Sequence, residues 1–252
     1  FMHNVDEFLI VQGDTLDSPQ ILENDELKKF DVIMANPPYS VKKWSQSKWM
    51  NDPFGRNIWG TPPQGCADYA FQQHIMKSLN PETGRCVVLW PHGVLFRDSE
   101  AEIRKRMIEE DYVDAVIGLG KNLFYNSSME SCLLVCRMKK PKERKGKIIF
   151  IDAKDELRIE RTNAWLEPQH IKKISDAYWK FKDVEGFVTI VNNKDVLENN
   201  GNMSLQLFVK QAANTNEHNT QDLIAEVKSN QKQIGNSLDE LFNQLKKIGI
   251  EV

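Results

Sequence analysis

Residues 28–40, KKFDVIMANPPYS, carry an apolar stretch straight into Asn36, Pro37, Pro38 and Tyr39. Proline lacks the N–H that a sheet ladder needs, so a strand followed by a turn accounts for both prolines. It leaves Asn36 and Tyr39 unexplained. By composition alone, an Asp/Asn/Ser-Pro-Pro-aromatic string arises in about one chain in a hundred of this length, and less often at the end of an apolar run. The combination offers an uncharged amide acceptor and a phenol ring on a backbone from which two donors have been removed.

The surrounding pattern has to place those groups. Residues 7–11 form one short apolar run ending in Gly13 and Asp14, and residues 30–35 form a second ending in Asn36. Both predict strands buried on two faces of a parallel sheet. Ligands bind at the carboxyl ends of such strands, where Asp14 and Asn36 are both expected. Residues 41–66 are polar and hold Trp44, Trp49 and Trp59; a connection of that length is functional or mobile as a rule. Packing of the three rings and a grip on a ligand are equally open.

Residues 67–80 predict a helix with Ala67, Phe71, Ile75 and Leu79 along one side. A strand is expected over 85–90, and Ser99 with Glu102 has the spacing of a capping box ahead of Ile103 and Met107. YVDAVIGL, SCLLVCRM and KIIFIDA read as further strands. This order predicts an α/β domain over 1–152, its sheet mostly parallel with an antiparallel hairpin at the edge. Residues 153–210 form an extension containing a helix that starts at Pro168. Residues 211–221 read as a linker, and 222–252 as a helix with Val227, Ile234, Leu238, Leu241, Leu245 and Ile248 on a heptad stripe. That stripe either folds back on the body or joins a partner's helices.

With 252 residues, 40% hydrophobic and 27% charged, the chain suits a globular protein. No apolar run approaches the roughly 20 residues of a membrane span, and the expectation is a cytoplasmic protein without membrane attachment. Cys66, Cys86, Cys132 and Cys136 show no paired spacing, so neither a disulfide framework nor a metal site is indicated. A net charge of −3 argues against a free-standing nucleic-acid binder. The seven basic residues between Arg137 and Lys147 read as a solvated hairpin, with phosphate contact as the alternative. His92 and His74 read as structural.

The ordered series VQGDTL, FDVIMANPPYSVKKW, FGRNIWGTPP, DYAFQQHIMKSL, WPHGVLFR and AVIGLGKNLFYNSSMESCLLVCRMKK resembles the modification subunit of type I restriction-modification systems, an adenine-N6 DNA methyltransferase. The resemblance implies S-adenosylmethionine as methyl donor and Asn36, Pro37, Pro38 and Tyr39 as the catalytic group. Adenine N6 is a poor nucleophile because its lone pair is delocalised. The Asn36 oxygen and the Pro37 carbonyl would accept both amine hydrogens and release that pair toward the methyl group. Tyr39 would stack on a base rotated out of the duplex. The resemblance also assigns Asp14, Asp68 and Phe71 to the cofactor pocket. It implies DNA, a specificity subunit held by the C-terminal helix, and a restriction subunit as partners.

The family's glycine-rich cofactor turn has no counterpart here, and Gly118–Leu119–Gly120 reads as a strand-end turn instead. The fold expected is therefore an incomplete Rossmann-like methyltransferase fold with a helical tail, binding cofactor weakly or not at all by itself. Two other functions stay open: a protein-glutamine or RNA amino-methyltransferase, and a non-catalytic assembly module.

Overall fold

The computed structural model describes residues 7–124, 129–161, 163–210 and, in the tail, 224, 227–232, 234–235 and 237. Two compact units are present, Phe1–Gln211 and Ala212–Val252. The first opens with a small hairpin, β1 (Leu22–Glu23) and β2 (Glu26–Leu27), whose turn residues Asn24 and Asp25 both take positive φ. Asn and Asp tolerate that conformation, which two-residue hairpin turns require.

The main sheet has β3 (Val32–Ala35), β4 (Arg85–Pro91), β5 (Val113–Leu119), β6 (Ser131–Arg137), β7 (Lys147–Ala153) and, after a minor hairpin of β8 (Arg158–Glu160) and β9 (Asn163–Trp165), β10 (Val188–Asn192). Their spatial order is β10-β7-β5-β6-β4-β3. The pairings make β3, β4, β5 and β7 run one way, with β6 and β10 opposed. The α/β class is as expected, but the hairpin is not at the edge. β6 lies between β5 and β4, and the antiparallel edge is β10. Apolar runs of equal length look alike in sequence wherever they sit in a sheet, so their order was not legible.

Helices α1 (Gln46–Trp49), α2 (Asp68–Lys77), α3 (Ala101–Glu109), α4 (Pro168–Lys180), α5 (Asn193–Glu198) and α6 (Leu205–Phe208) complete the unit. Side chains of α2, α3, α5 and α6 pack one sheet face, and Ile174 and Ala177 of α4 pack the other. Every residue of β5 is buried, so the strand serves both layers. Each fully buried Ile, Val or Leu there contributes about 1.5–3 kcal/mol. Gly118 and Gly120 make this possible by closeness. A Cβ on Gly118 would come 2.6 Å from Leu205 of α6, and one on Gly120 would come 2.3 Å from the Lys154 carbonyl. The Gly-Leu-Gly string is thus a packing device.

Three expectations are corrected. Residues 7–11 form no strand, and Phe8, Leu9 and Ile10 are exposed. An apolar run becomes a strand only where another strand supplies ladder partners. Second, among the described residues β3 is an edge strand paired only with β4, and its Val32 and Met34 are exposed, where burial on both faces was expected. Third, α3 starts at Ala101 with Glu100 as its cap residue and no side-chain cap. A short 3₁₀ turn over Asp98–Glu100 occupies the expected capping position, and Glu102 pairs with Lys105.

The 153–210 extension joins the main sheet, because β10 pairs along its whole length with Lys147–Ile151 of β7. In the tail, Val227 and Ile234 of the heptad stripe are helical and exposed. Leu238, Leu241, Leu245 and Ile248 lie outside the described residues, as does the linker. Among the described residues no helix is long and apolar enough to cross a membrane.

Candidate active site

The parallel strands deliver Asn36, His92, Gly120 and Lys154 to one edge of the sheet, directly after β3, β4, β5 and β7. Asn36 is exposed there, Pro37 is half-buried and Pro38 exposed. The Tyr39 hydroxyl donates to Asn36 Oδ1 at 3.0 Å. Burial holds the Tyr39 phenol above its ordinary pKa, so the hydroxyl keeps the proton it donates. An amide oxygen has two lone pairs, and this bond uses one. The Tyr39 ring is half-buried and lies 6.3 Å from Trp90 at a 46° tilt. Trp90 in turn donates through its indole N–H to Gln72 Oε1 at 3.0 Å. The acceptor loop therefore rests on the centre of the core.

Immediately after Tyr39 the chain turns through Ser40, whose φ of 51° is left-handed. The Ser40 N–H donates to Asp68 Oδ1 at 2.6 Å. Asp68, the first residue of α2, is fully buried, and its other oxygen accepts from Arg97 and from the Cys66 thiol, the latter at 3.2 Å. Burial pushes that thiol up to about 12, so it remains a donor. Arg97 also donates to Glu100 Oε2 at 2.8 Å. Cys66, Asp68 and Glu100 offer donor atoms within 4.8 Å of one another, as a cation site would. The Arg97 guanidinium already supplies the positive charge between the two carboxylates.

Asp14 lies in a loop, where the strand-end position expected for it fails with the strand at 7–11. Its Oδ1 accepts the N–H groups of Leu16 and Asp17 at 2.9 and 3.0 Å, a local Asx turn. Phe71 is half-buried in α2 and packs against both the main core and the cluster of Leu16, Trp49, Ala67 and Ala70. Asp14, Asp68 and Phe71 are thus spread over a loop, a helix start and a helix face. Two cavities of about 370 and 330 Å³ both reach Val32 and Met34, along the free side of β3.

The long connection 41–66 is fastened to the body. Trp49 and Trp59 are buried, which decides for packing over an exposed grip. Arg56, 2% exposed, pairs with Asp52 and donates to the carbonyls of Thr15 and Leu16, with Trp49 and Phe54 against its guanidinium. A buried arginine this fully paired was missed in the sequence, where FGR between prolines reads as loop.

His74 Nδ1 lies 3.3 Å from Arg56 Nη1. Arginine has only donors, so His74 accepts and must be neutral. Burial, reinforced by the Arg56 charge, pulls its pKa down to about 4. The unfolded chain binds this proton near pH 6.5 and the folded one only near 4. Stability is therefore full above pH 6.5 and falls as pH drops through that window, by up to about 3 kcal/mol. Urea unfolding between pH 7 and 4 checks this: His74→Gln is expected to show a shallower acid loss than the parent. An identical loss in both proteins would remove His74 as its source.

His92, expected to be structural, has Nε2 3.0 Å from the Ser131 carbonyl. The basic run is partly consumed by the fold. Arg137 and Arg144 bind Asp114, Lys140 binds Asp111, and Lys139 pairs with Glu82. Lys140 and Arg144 are buried. Lys139, Lys142, Lys145 and Lys147 are exposed, so the run is solvated at those four positions, whereas Arg137, Lys140 and Arg144 are held by the fold.

Comparison with known proteins gives the family. Residues 1–217 match the family model described as N-6 DNA Methylase. The chain is 30% identical to the methylase subunit of the type I restriction enzyme MjaVII of Methanocaldococcus jannaschii, over 98% of this chain and 44% of that protein. It is also 30% identical to the MpnII methylase subunit of Mycoplasma pneumoniae, over 97% of this chain and 47% of that one. Among solved structures, the type I restriction-modification methyltransferase subunit from Streptococcus thermophilus superposes with a TM-score of 0.71 at 33% identity, covering 78% of this chain and 41% of its own. The chain spans less than half the length of these relatives. With an Asn-Pro-Pro-Tyr loop at the carboxyl edge of this sheet and a family match over most of its length, the chain belongs to the N-6 DNA methylase family.

Proposed function

We propose that this chain is the acceptor-site portion of a DNA methyltransferase subunit that methylates adenine N6 within a type I restriction-modification complex. The observation that carries the reading is the exposed Asn36 amide at the carboxyl end of β3, its oxygen oriented by Tyr39. Asn36 Oδ1 and the Pro37 carbonyl accept the two amine hydrogens, which draws the nitrogen lone pair out of conjugation. The two prolines remove competing donors and restrict the backbone, so little reorganisation remains when the base arrives. Tyr39 gives the extruded base a ring to stack on.

S-adenosylmethionine, used by this family generally, supplies a methyl group on a positively charged sulfur. Asp14, through its exposed carboxylate, and Phe71, through the half-buried face of its ring, are the residues here suited to touch it. Asp68 has both oxygens engaged by the protein and contributes through Ser40 and Arg97. The tail helix docks a specificity subunit, which brings the DNA, and the restriction subunit joins the same complex.

The test is methyl transfer by the full-length subunit assembled with its specificity subunit. Tritiated methyl from S-adenosylmethionine is expected at adenine N6 of duplex DNA, and removal of residues 221–252 is expected to abolish assembly while this chain's first unit keeps its circular dichroism and melting temperature. Methylation of cytosine, RNA or protein glutamine in place of adenine would overturn the substrate assignment.

A further inference from the structure

The backbone just beyond the acceptor loop is held in a conformation that serine adopts only under constraint. Left-handed φ is uncommon for residues with a Cβ and persists where surrounding structure over-determines it. At Ser40 the constraint is visible. Asp68 Oδ1 takes the Ser40 N–H at 2.6 Å, and Arg97 Nη1 reaches Ser40 Oγ at 3.3 Å while its other nitrogens bind Asp68 and Glu100.

The holding groups come from three separate places. Asp68 begins α2, where the helix N-terminus favours its negative charge. Arg97 and Glu100 flank the turn between β4 and α3, and Arg104 of α3 donates to the Arg97 carbonyl at 2.7 Å and to the Gly201 carbonyl at 3.0 Å. Asp68, Glu100 and Arg104 are each at most 1% exposed. Buried charges are retained at such cost only when paired, and removing one partner strands the others. Among the described residues Glu100 Oε1 has no hydrogen-bond partner, and Arg97 holds the other oxygen.

We propose that Asp68 and Arg97 are positioning residues that clamp Ser40 and thereby set the direction in which Asn36 and the Pro37 carbonyl face the amine. The clamp acts on the loop from behind. A β4–α3 turn and an α2 start that share one aspartate cannot move apart without releasing Ser40, so the acceptor geometry is tied to the packing of α2 and α3. This reading extends the proposed methyl transfer and rests on it for its functional half.

Hydrogen exchange of the Ser40 amide in this chain tests the structural half, and steady-state kinetics of the full-length assembled subunit tests the rest. Asp68→Asn is nearly isosteric but loses the charge that Arg97 pairs with, and Arg97→Lys loses the forked contact. Both are expected to speed Ser40 exchange at least tenfold, with β4–β7 amides unchanged, and to lower kcat at least tenfold with KM for DNA within twofold. Ser40→Gly takes positive φ without strain. Placed on Asp68→Asn, it is expected to recover at least a third of the lost kcat, which a role in global folding would not predict.

Unchanged Ser40 exchange in both variants overturns the clamp. Faster exchange with kcat within twofold of the parent overturns its positioning role. If the unaltered assembly transfers no methyl to adenine, the proposed function fails by itself, and the exchange result still decides the clamp.

Discussion

Asn36→Ala is expected to lower adenine methylation by the assembled subunit about 10²–10³-fold, the usual loss when one preorganised polar group at a reacting centre is removed. The substitution deletes the acceptor at the carboxyl end of β3 and leaves the Tyr39 hydroxyl without its partner. Because Asn36 is exposed, the melting temperature of this chain should hardly change; surface replacements stay within about 0.5 kcal/mol. Asn36→Asp keeps an oxygen acceptor and is expected to lose less than the alanine variant. Tyr39→Phe separates orientation from stacking, since it keeps the ring and removes the hydroxyl that orients the amide. Its loss should fall well short of that in Asn36→Ala. Single-turnover rates at saturating DNA check the series, and a rate for Asn36→Ala within threefold of the parent would remove the amide from the chemistry.

Asn36 was legible in the sequence because two local signals coincide there: an apolar run that must be a strand, and prolines that must end it. The clamp behind it was not legible. The resemblance assigns Asp68 to the cofactor pocket and gives no role to Arg97 or Glu100. Only the crossing of β4 into α3 beside the start of α2 brings the three together. The same limit explains the run at 7–11. Its residues have strand-forming character, but strand formation depends on neighbours that sequence pattern does not name, and here β3 presents an unpaired side. Gly118 and Gly120, read as a strand-end turn, lie at the end of β5, where the sequence gives no sign of their close packing against Leu205 and Lys154. Charge runs are ambiguous for a related reason, because solvation and burial of arginine look identical until partners are known.

Asp114→Ala is expected to destabilise the first unit by about 3–5 kcal/mol, the cost of leaving buried charge uncompensated. Asp114 sits at a register shift between Val113 and Ala115, where β5 bulges against β6. A bulge inserts one residue and re-aims its side chain, which puts a carboxylate inside a strand that is otherwise apolar. Its Oδ2 accepts from Arg137 Nε and Arg144 Nη1, each at 3.1 Å, and from the Tyr178 hydroxyl at 2.5 Å. Arg144 also lies 4.4 Å from the rings of Tyr178 and Phe181, so the same carboxylate fastens α4 to the sheet. Removing it strands two guanidiniums, one of them 4% exposed. Arg144→Met with Asp114→Leu removes the more buried of the two guanidiniums together with the carboxylate and is expected to recover part of the loss, with Arg137 left on the Tyr178 hydroxyl alone. Urea denaturation of the three proteins measures both effects. If Asp114→Ala costs under 1 kcal/mol, the arginines are finding water, and the basic hairpin is then free to meet phosphate after all.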